Sequence, residues 1–239
     1  MSAVVAVIGE GLLADFVCAE LADSHRIVRR RDFASDVPQG AVLAVVAHDS
    51  WHPGVHRAAE ETLRPIGIPW LRGFVAFGEG VVGPLVRPGT PGCSQCADTR
   101  RLIAGRDRRE MWELTEGLAA HGGPPRDAWA SRAGLWQVAR LLAAEARGAL
   151  QSENGSHHDE SQHGGSPQNV PVRGGGTMFL INMRTLQSSR HFCLPDPLCP
   201  VCGRVPDDSE AAARIELRPR PKRNADSYRL RPMEELQRV

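Results

Sequence analysis

Two short stretches hold the residues best suited to chemistry. TPGCSQCADTR (90–100) and PDPLCPVCGRV (195–205) each carry a C-x-x-C pair, Cys93 with Cys96 and Cys199 with Cys202. Two thiolates three residues apart can grip one metal ion from a tight turn, and two such turns complete a tetrahedral thiolate shell. That donor set suits zinc, and a closed shell leaves no position for water or substrate, so its role is structural. Pro91, Gly92, Pro200 and Gly203 supply turn-forming residues around the pairs. An iron–sulfur cluster, a redox dithiol and coincidental spacing are the other readings of the same four residues.

The remaining candidates are weaker. Gly9-Glu10-Gly11-Leu12-Leu13-Ala14 follows an apolar strand and opens a helix, the G-x-G-x-x-A form of a dinucleotide turn. Gly9, Gly11 and Ala14 are therefore cofactor-binding candidates. Phosphate binding there depends on free amides and on the positive end of a helix, and Glu10 and Asp15 bring negative charge to that place. The strand-like segment ending in RRRD offers no clean ribose-binding acid, although Asp32 is in range. A turn kept for close helix–strand packing, with a vestigial phosphate site, is the expected state. Asp49, His52, His56 and Arg57 follow the third strand, where doubly wound enzymes place catalytic groups. Capping of the next helix by Asp49 or Ser50, with an exposed His56, explains them equally well. Cys193 has only His191 as a nearby base, on about the opposite phase of the strand, and reads as a strand cysteine. Cys18 reads as a small buried hydrophobe. His157, His158 and His163 lie in a polar tract without a cysteine partner and read as solvated filler. No catalytic residue is assigned.

The elements that must position these residues begin with βα alternation. AVVAVIG (3–9) and AVLAVVAHD (41–49) read as buried parallel strands, HRIVRRRDF as an edge strand between them, and 11–23 and 52–65 as helices. Residues 68–89 read as two strands meeting near Gly78–Gly80, 106–121 and 128–150 as helices, and 177–195 as a hairpin. The fold class is α/β, a doubly wound Rossmann-like sheet with a zinc-bound β-hairpin subdomain. The expected organisation is a domain over 1–150, a flexible polar linker over 151–172, the hairpin with the second knuckle over 173–205, and a basic linker over 206–239. A net charge of +1 gives no case for nucleic acid, and no apolar run nears the roughly 20 residues that span a bilayer. Six cysteines make no disulfide scaffold in a chain of 239 residues, and the N-terminus lacks a signal-peptide pattern, so a reducing cytoplasm is expected.

The phrases VIGEGLLAD, GPLVRPGTPGCSQC and LPDPLCPVCG carry a resemblance over most of the chain. In that order they resemble the ThiF/MoeB fold of ubiquitin-activating-type enzymes. More narrowly, they resemble the cyclodehydratase component of thiazole/oxazole-modified peptide (bacteriocin) biosynthesis. The resemblance implies that Cys93, Cys96, Cys199 and Cys202 are zinc ligands and that this part is non-catalytic. It implies a YcaO partner domain that uses ATP to convert Cys, Ser or Thr of a ribosomal precursor peptide into azolines. ADSYRLRPMEELQRV (225–239) resembles the lead-in to such a domain, so the chain is expected to continue into one. Relatives often carry a leader-binding winged helix ahead of the fold. Here the sequence opens on the first strand, so a separate leader-binding protein is the expected partner. The docking surface itself is left unassigned; Trp51, His52 and Trp70 are expected on an exposed face where substitutions could weaken docking without unfolding the protein, with no choice made among the three. The alternative is a live ThiF/MoeB-type adenylating or sulfur-transfer enzyme. A simple nicotinamide-binding module is a third possibility, and it would need no zinc.

Overall fold

The structure is a computed structural model that describes residues 3–34, 36–104, 109, 113, 127–154 and 176–203. Its elements run β1 (Val4–Ile8), α1 (Leu12–Ala22), β2 (Arg26–Arg30), β3 (Ala41–Ala47), α2 (Pro53–Leu63), β4 (Trp70–Ala76), β5 (Glu79–Val82), α3 (Ser94–Ala104), α4 (Arg132–Asn154), β6 (Gly176–Asn182) and β7 (Ser188–Cys193). The strands form one sheet in the order β2-β1-β3-β4-β5-β6-β7. The first four are parallel, and β4 to β7 are antiparallel neighbours. The hairpin expected as a separate subdomain is instead part of the main sheet, with Gly80 opposite Ile181 and Val82 opposite Phe179. Buried Val81, Val82 and Ile181 make that edge apolar, and pairing it removes an open row of amides and carbonyls.

Alternation along the strands divides the core into two. Val5, Val7, Val45 and Leu71 face α1 and α4, whereas Ala6, Ile8, Val46 and Phe74 face the side of α2 and α3. Gly73 lets α4 approach β4, since a Cβ there would lie 2.4 Å from Leu142 Cδ2. The β4–β5 connection is a two-residue turn, Phe77-Gly78, with φ of 55° and 73°. Positive φ at both central residues matches the twist of a tight hairpin. The last helix starts at Arg132, later than the sequence pattern suggests, because Ser131 Oγ accepts the Gly134 N–H at 3.1 Å and caps it. It continues through Asn154. Most of the helix expected over 106–121, the three histidines of the polar tract and the residues after Gly203 lie outside the described residues. No helix among the described residues is long and apolar enough to cross a membrane.

A buried charge ties the second face together. Arg72, on β4, has no exposed side-chain surface and makes two 2.8 Å bonds to the Asp98 carboxylate of α3. Its Nε donates to the Gly83 carbonyl at 3.1 Å. Phe74 lies beneath both the Arg72 and Arg101 guanidinium groups, 5.4 and 5.5 Å from their central carbons. Removing one partner of such a pair strands the other in the interior. Asp98→Ala should therefore cost about 3–5 kcal/mol of stability in urea unfolding. Glu10→Gln, which breaks the exposed Arg31–Glu10 pair, should leave the unfolding midpoint unchanged. Equal effects of the two substitutions would contradict this account.

Candidate functional site

Cys93 immediately precedes α3 and Cys96 lies in its first turn, while Cys199 and Cys202 follow β7. The fold brings the four together on the α2–α3 side of the sheet, all buried and all free thiols, with their sulfurs within 4.8 Å of one another. Cys93 Sγ is 3.6 Å from Cys199 Sγ and 4.0 Å from Cys96 Sγ, and Cys96 Sγ is 3.4 Å from Cys202 Sγ. These distances exclude disulfides, whose sulfurs sit about 2.05 Å apart. Tetrahedral zinc with bonds of about 2.3 Å spaces its sulfurs by roughly 3.8 Å, within the observed spread.

The local backbone is built for this arrangement. The Gly92 amide donates to Cys202 Sγ at 3.3 Å and the Asp196 amide to Cys96 Sγ at 3.4 Å. The second turn closes through Gly203 N–H to the Cys199 carbonyl at 2.8 Å. A Cβ on Gly203 would lie 2.5 Å from the Cys199 and Pro197 carbonyl oxygens, so only glycine fits. Burial pushes the Cys93 thiol well up and the Cys96 thiol up to about 12. At Cys202 burial is the largest influence and acts upward, but hydrogen bonds from the Cys93 and Gly92 amides, together with those from the Cys96 and Cys93 thiols, outweigh it and lower the value. Four thiolates in such a space require a cation, and a soft, tetrahedral divalent ion fits the donor set. These residues could hold zinc, with no open coordination position.

The glycine turn is organised by a residue distant in sequence. Asp49, just after β3, accepts the Leu13 N–H at 2.8 Å through Oδ1 and the Leu12 N–H at 3.2 Å through Oδ2. A carboxylate thus sits on the free amides of the α1 N-terminus, the place a phosphate would take in a dinucleotide turn. Gly9 and Gly11 have φ of 141° and 96°. A Cβ on Gly9 would lie 1.9 Å from the Ala47 carbonyl oxygen, and one on Gly11 would lie 2.7 Å from Asp49 Cγ. Packing against the end of β3 therefore accounts for both glycines, and Ala14 is fully buried beside them. Glu10 pairs with Arg31 at 2.7 Å, Asp15 pairs with Arg29, and Asp32 accepts the Ala34 amide at 2.9 Å.

Asp49 and Ser50 do not cap α2, so the capping half of the two readings weighed for this segment does not hold. That helix starts from His52 without a side-chain cap bond, and Pro53 supplies the first-turn φ. His56, expected outside, is 2% exposed between Trp70 and Phe74, with Nδ1 3.3 Å from Arg72 Nη1. That nitrogen faces a guanidinium donor and must accept, which places the ring proton on Nε2. Trp51 and Trp70, expected on an exposed face, are 5% and 1% exposed. Both belong to the buried cluster on the α2–α3 side of the sheet, with the Trp51 ring stacked 6.4 Å from Phe74 and the Trp70 ring 6.3 Å from His56. Arg57 is exposed on α2. Cys193 is buried, which raises its thiol, whereas His191 is exposed and bonds Ser189 Oγ at 2.8 Å. Cys18 is half-buried, with its thiol likewise raised by burial.

No family model matches the sequence, and no curated protein does. Solved structures do match. The heterocyclase TruD superposes with a TM-score of 0.61 over 99% of this chain at 21% identity, and the chain spans 31% of TruD's length. A heterocyclase in complex with substrate and cofactor gives a TM-score of 0.61 over 84% of this chain at 18% identity, spanning 26% of that protein. MccB of E. coli gives a TM-score of 0.54 over 85% of this chain at 15% identity, spanning 66% of MccB. The chain thus has the Rossmann-like α/β fold found in MccB and within these heterocyclases, and it is much shorter than the heterocyclases.

Two outcomes follow. Purified chain should carry about one zinc ion by elemental analysis, and Cys199→Ser should lose it and unfold at a lower temperature, since metal-binding energy is folding energy at such a site. Full occupancy after replacing both Cys199 and Cys202 would rule the site out. Stability should also fall in mild acid. Burial lowers His48 to about 4, and His52 and His56 are lowered as well, chiefly by burial. Unfolded histidine titrates near 6.5, so the unfolded chain binds more protons between these values. The contribution is complete above about pH 6.5 and is lost as pH falls towards 4, at up to about 1.4 kcal/mol per pH unit for His48. Denaturant unfolding across this range should give that slope, and His48→Asn should reduce it.

Proposed function

We propose that this chain is the non-catalytic docking and activating part of an ATP-dependent, azoline-forming cyclodehydratase that acts on a ribosomal precursor peptide. The observation that carries the reading is the Asp49 carboxylate on the Leu12 and Leu13 amides. It fills the phosphate position of the glycine turn, so nucleotide chemistry falls to a partner. The superposition of nearly the whole chain on about a third of a heterocyclase supports the same division of labour. A YcaO-type domain, joined or separate, would use ATP to phosphorylate a backbone amide oxygen. A Cys, Ser or Thr side chain of the precursor then attacks that carbon, and the oxygen leaves as phosphate. Gly9, Gly11 and Ala14 keep a packing role, and Cys93, Cys96, Cys199 and Cys202 hold a structural zinc.

This chain's contribution is positional. Holding precursor, leader-binding protein and YcaO domain together replaces a bimolecular encounter with an intramolecular one. The reading places the protein in the cytoplasm, with the polar tract over 151–172 and the residues after 206 as connections. The likeness to MccB, a microcin biosynthetic enzyme, favours a second reading as a ThiF/MoeB-type adenylating or sulfur-transfer enzyme. That reading requires ATP in the glycine turn.

Calorimetry separates the two. ATP should bind this chain no tighter than the millimolar range, and micromolar affinity lost on substituting Gly11 would favour the adenylating enzyme. Function is read by mass spectrometry as loss of water from the precursor, with the YcaO domain supplied alone or together with residues 1–239. Ring formation should rise with this chain present and rise further with the leader-binding protein. Identical rates with and without it would remove the docking role.

A further inference from the structure

The sheet ends on β2 at one side and on β7 at the other. β2 reads Arg-Ile-Val-Arg-Arg, and arginines along an edge oppose its pairing with a second copy of itself. β7 reads Ser-Ser-Arg-His-Phe-Cys, with a single arginine, and its first five residues are exposed. Its backbone shows which groups it leaves free. At the turn the Asn182 N–H donates to the Gln187 carbonyl at 2.9 Å, and the register then runs unbroken from Ile181 opposite Ser188 to Gly176 opposite Cys193. Hydrogen-bonded and non-hydrogen-bonded pairs alternate along an antiparallel ladder. Ser189, His191 and Cys193 therefore turn their amides and carbonyls to β6, whereas those of Ser188, Arg190 and Phe192 point away from the sheet. None of these outward groups has a partner among the described residues.

The side chains of the same three residues lie on the α4 side of the sheet, with Arg190 paired across from Phe179. Phe192 is 55% exposed, with the Arg190 guanidinium 5.2 Å from its ring centre, and Leu194, just past the strand, is 45% exposed. A second copy of β7 matches this edge. A two-fold axis perpendicular to the sheet pairs two such strands antiparallel, and the pleat lets only residues of the same face meet. Two registers keep most of the six-residue overlap, centred on Arg190 or on His191. The first sets Arg190 directly opposite its own copy, and like charges in that position are unfavourable. Glu145 of α4 acts on the Arg190 charge but forms no ion pair with it. The second register sets Arg190 of each copy opposite Phe192 of the other, and Ser188 opposite Leu194. Each Phe192 ring then lies between two guanidiniums, one from each copy, an arrangement that cation–π attraction favours.

We propose that this chain forms a two-fold dimer by antiparallel pairing of β7 with β7 of a second copy, centred on His191, so that one sheet runs through both copies. The outward amides and carbonyls of Arg190 and Phe192 find their partners in the other chain, and the apolar surface of Phe192 and Leu194 is covered. The inference uses only the sheet edge and does not rest on the docking reading above. An edge of this length makes an interface at the small end of the range, so a dissociation constant on the order of 10 µM is expected.

Sedimentation velocity of the full chain over a concentration series tests the dimer. Phe192→Lys, which sets a like charge opposite Arg190 at two symmetric places, should weaken association at least about tenfold. Arg190→Glu/Phe192→Lys, which sets opposite charges in the same places, should restore it. Both variants should keep the melting temperature of the parent, since the changed side chains are exposed. The register is read by cysteine substitution. Non-hydrogen-bonded antiparallel neighbours have Cα atoms about 4.5 Å apart, within reach of a disulfide. His191→Cys should therefore bridge two chains under oxidised glutathione, with the bridge located at the substituted position by mass spectrometry of a digest. Ser188→Cys, which lies opposite Leu194 and far from its own copy, should not bridge. A monomer at every concentration would overturn the proposal. So would association untouched by Phe192→Lys, or a dimer in which His191→Cys forms no bridge.

Discussion

The second face of the sheet depends on the pairing of Arg72 with Asp98. A guanidinium with no exposed surface is tolerable only when a carboxylate and further acceptors surround it. This requirement fixes α3 against β4 in a definite position. Cys96 lies two residues before Asp98 on α3, and Ser94 two before that, so the first knuckle and the contact from Ser94 to Glu60 of α2 are placed by the same helix. His56 stays neutral against Arg72, its charged form disfavoured by burial and by the adjacent guanidinium.

The sheet then completes the four-cysteine cluster. β6 pairs with β5 as a continuation of the sheet, and β7 returns the chain towards the start of α3. Cys199 and Cys202 arrive beside Cys93 and Cys96 because strand pairing has already settled where β7 ends. The cluster thus closes a loop whose large-scale geometry comes from backbone hydrogen bonds. Its own contribution is local: it holds the segment after β7 against the first turn of α3.

The opposite end of the parallel strands shows how one motif can serve two different ends. A glycine turn before a helix leaves amides that attract an anion. Here the anion is part of the protein, and Gly11 lacks a Cβ because Asp49 lies against it. The arrangement secures the turn at the end of β1 to the end of β3. In this fold the amides that such a turn leaves at the start of α1 are taken by the Asp49 carboxylate.

The apolar runs of β1 and β3, the edge character of β2, the Gly78 turn and the two C-x-x-C pairs were legible in the sequence alone. Each depends on composition, periodicity or spacing within a few residues. Tertiary structure decided the rest. It joined the hairpin to the main sheet, turned Asp49 towards α1 and away from α2, and buried Trp51, Trp70 and His56, which the sequence had placed outside. Arg72, in the otherwise apolar stretch WLRGFVA, was a visible anomaly, but its partner lies 26 residues away on another element. A carboxylate, a tryptophan or a histidine is compatible with either surface or interior. Which it occupies depends on the faces brought together by docking, and no local pattern encodes that distance.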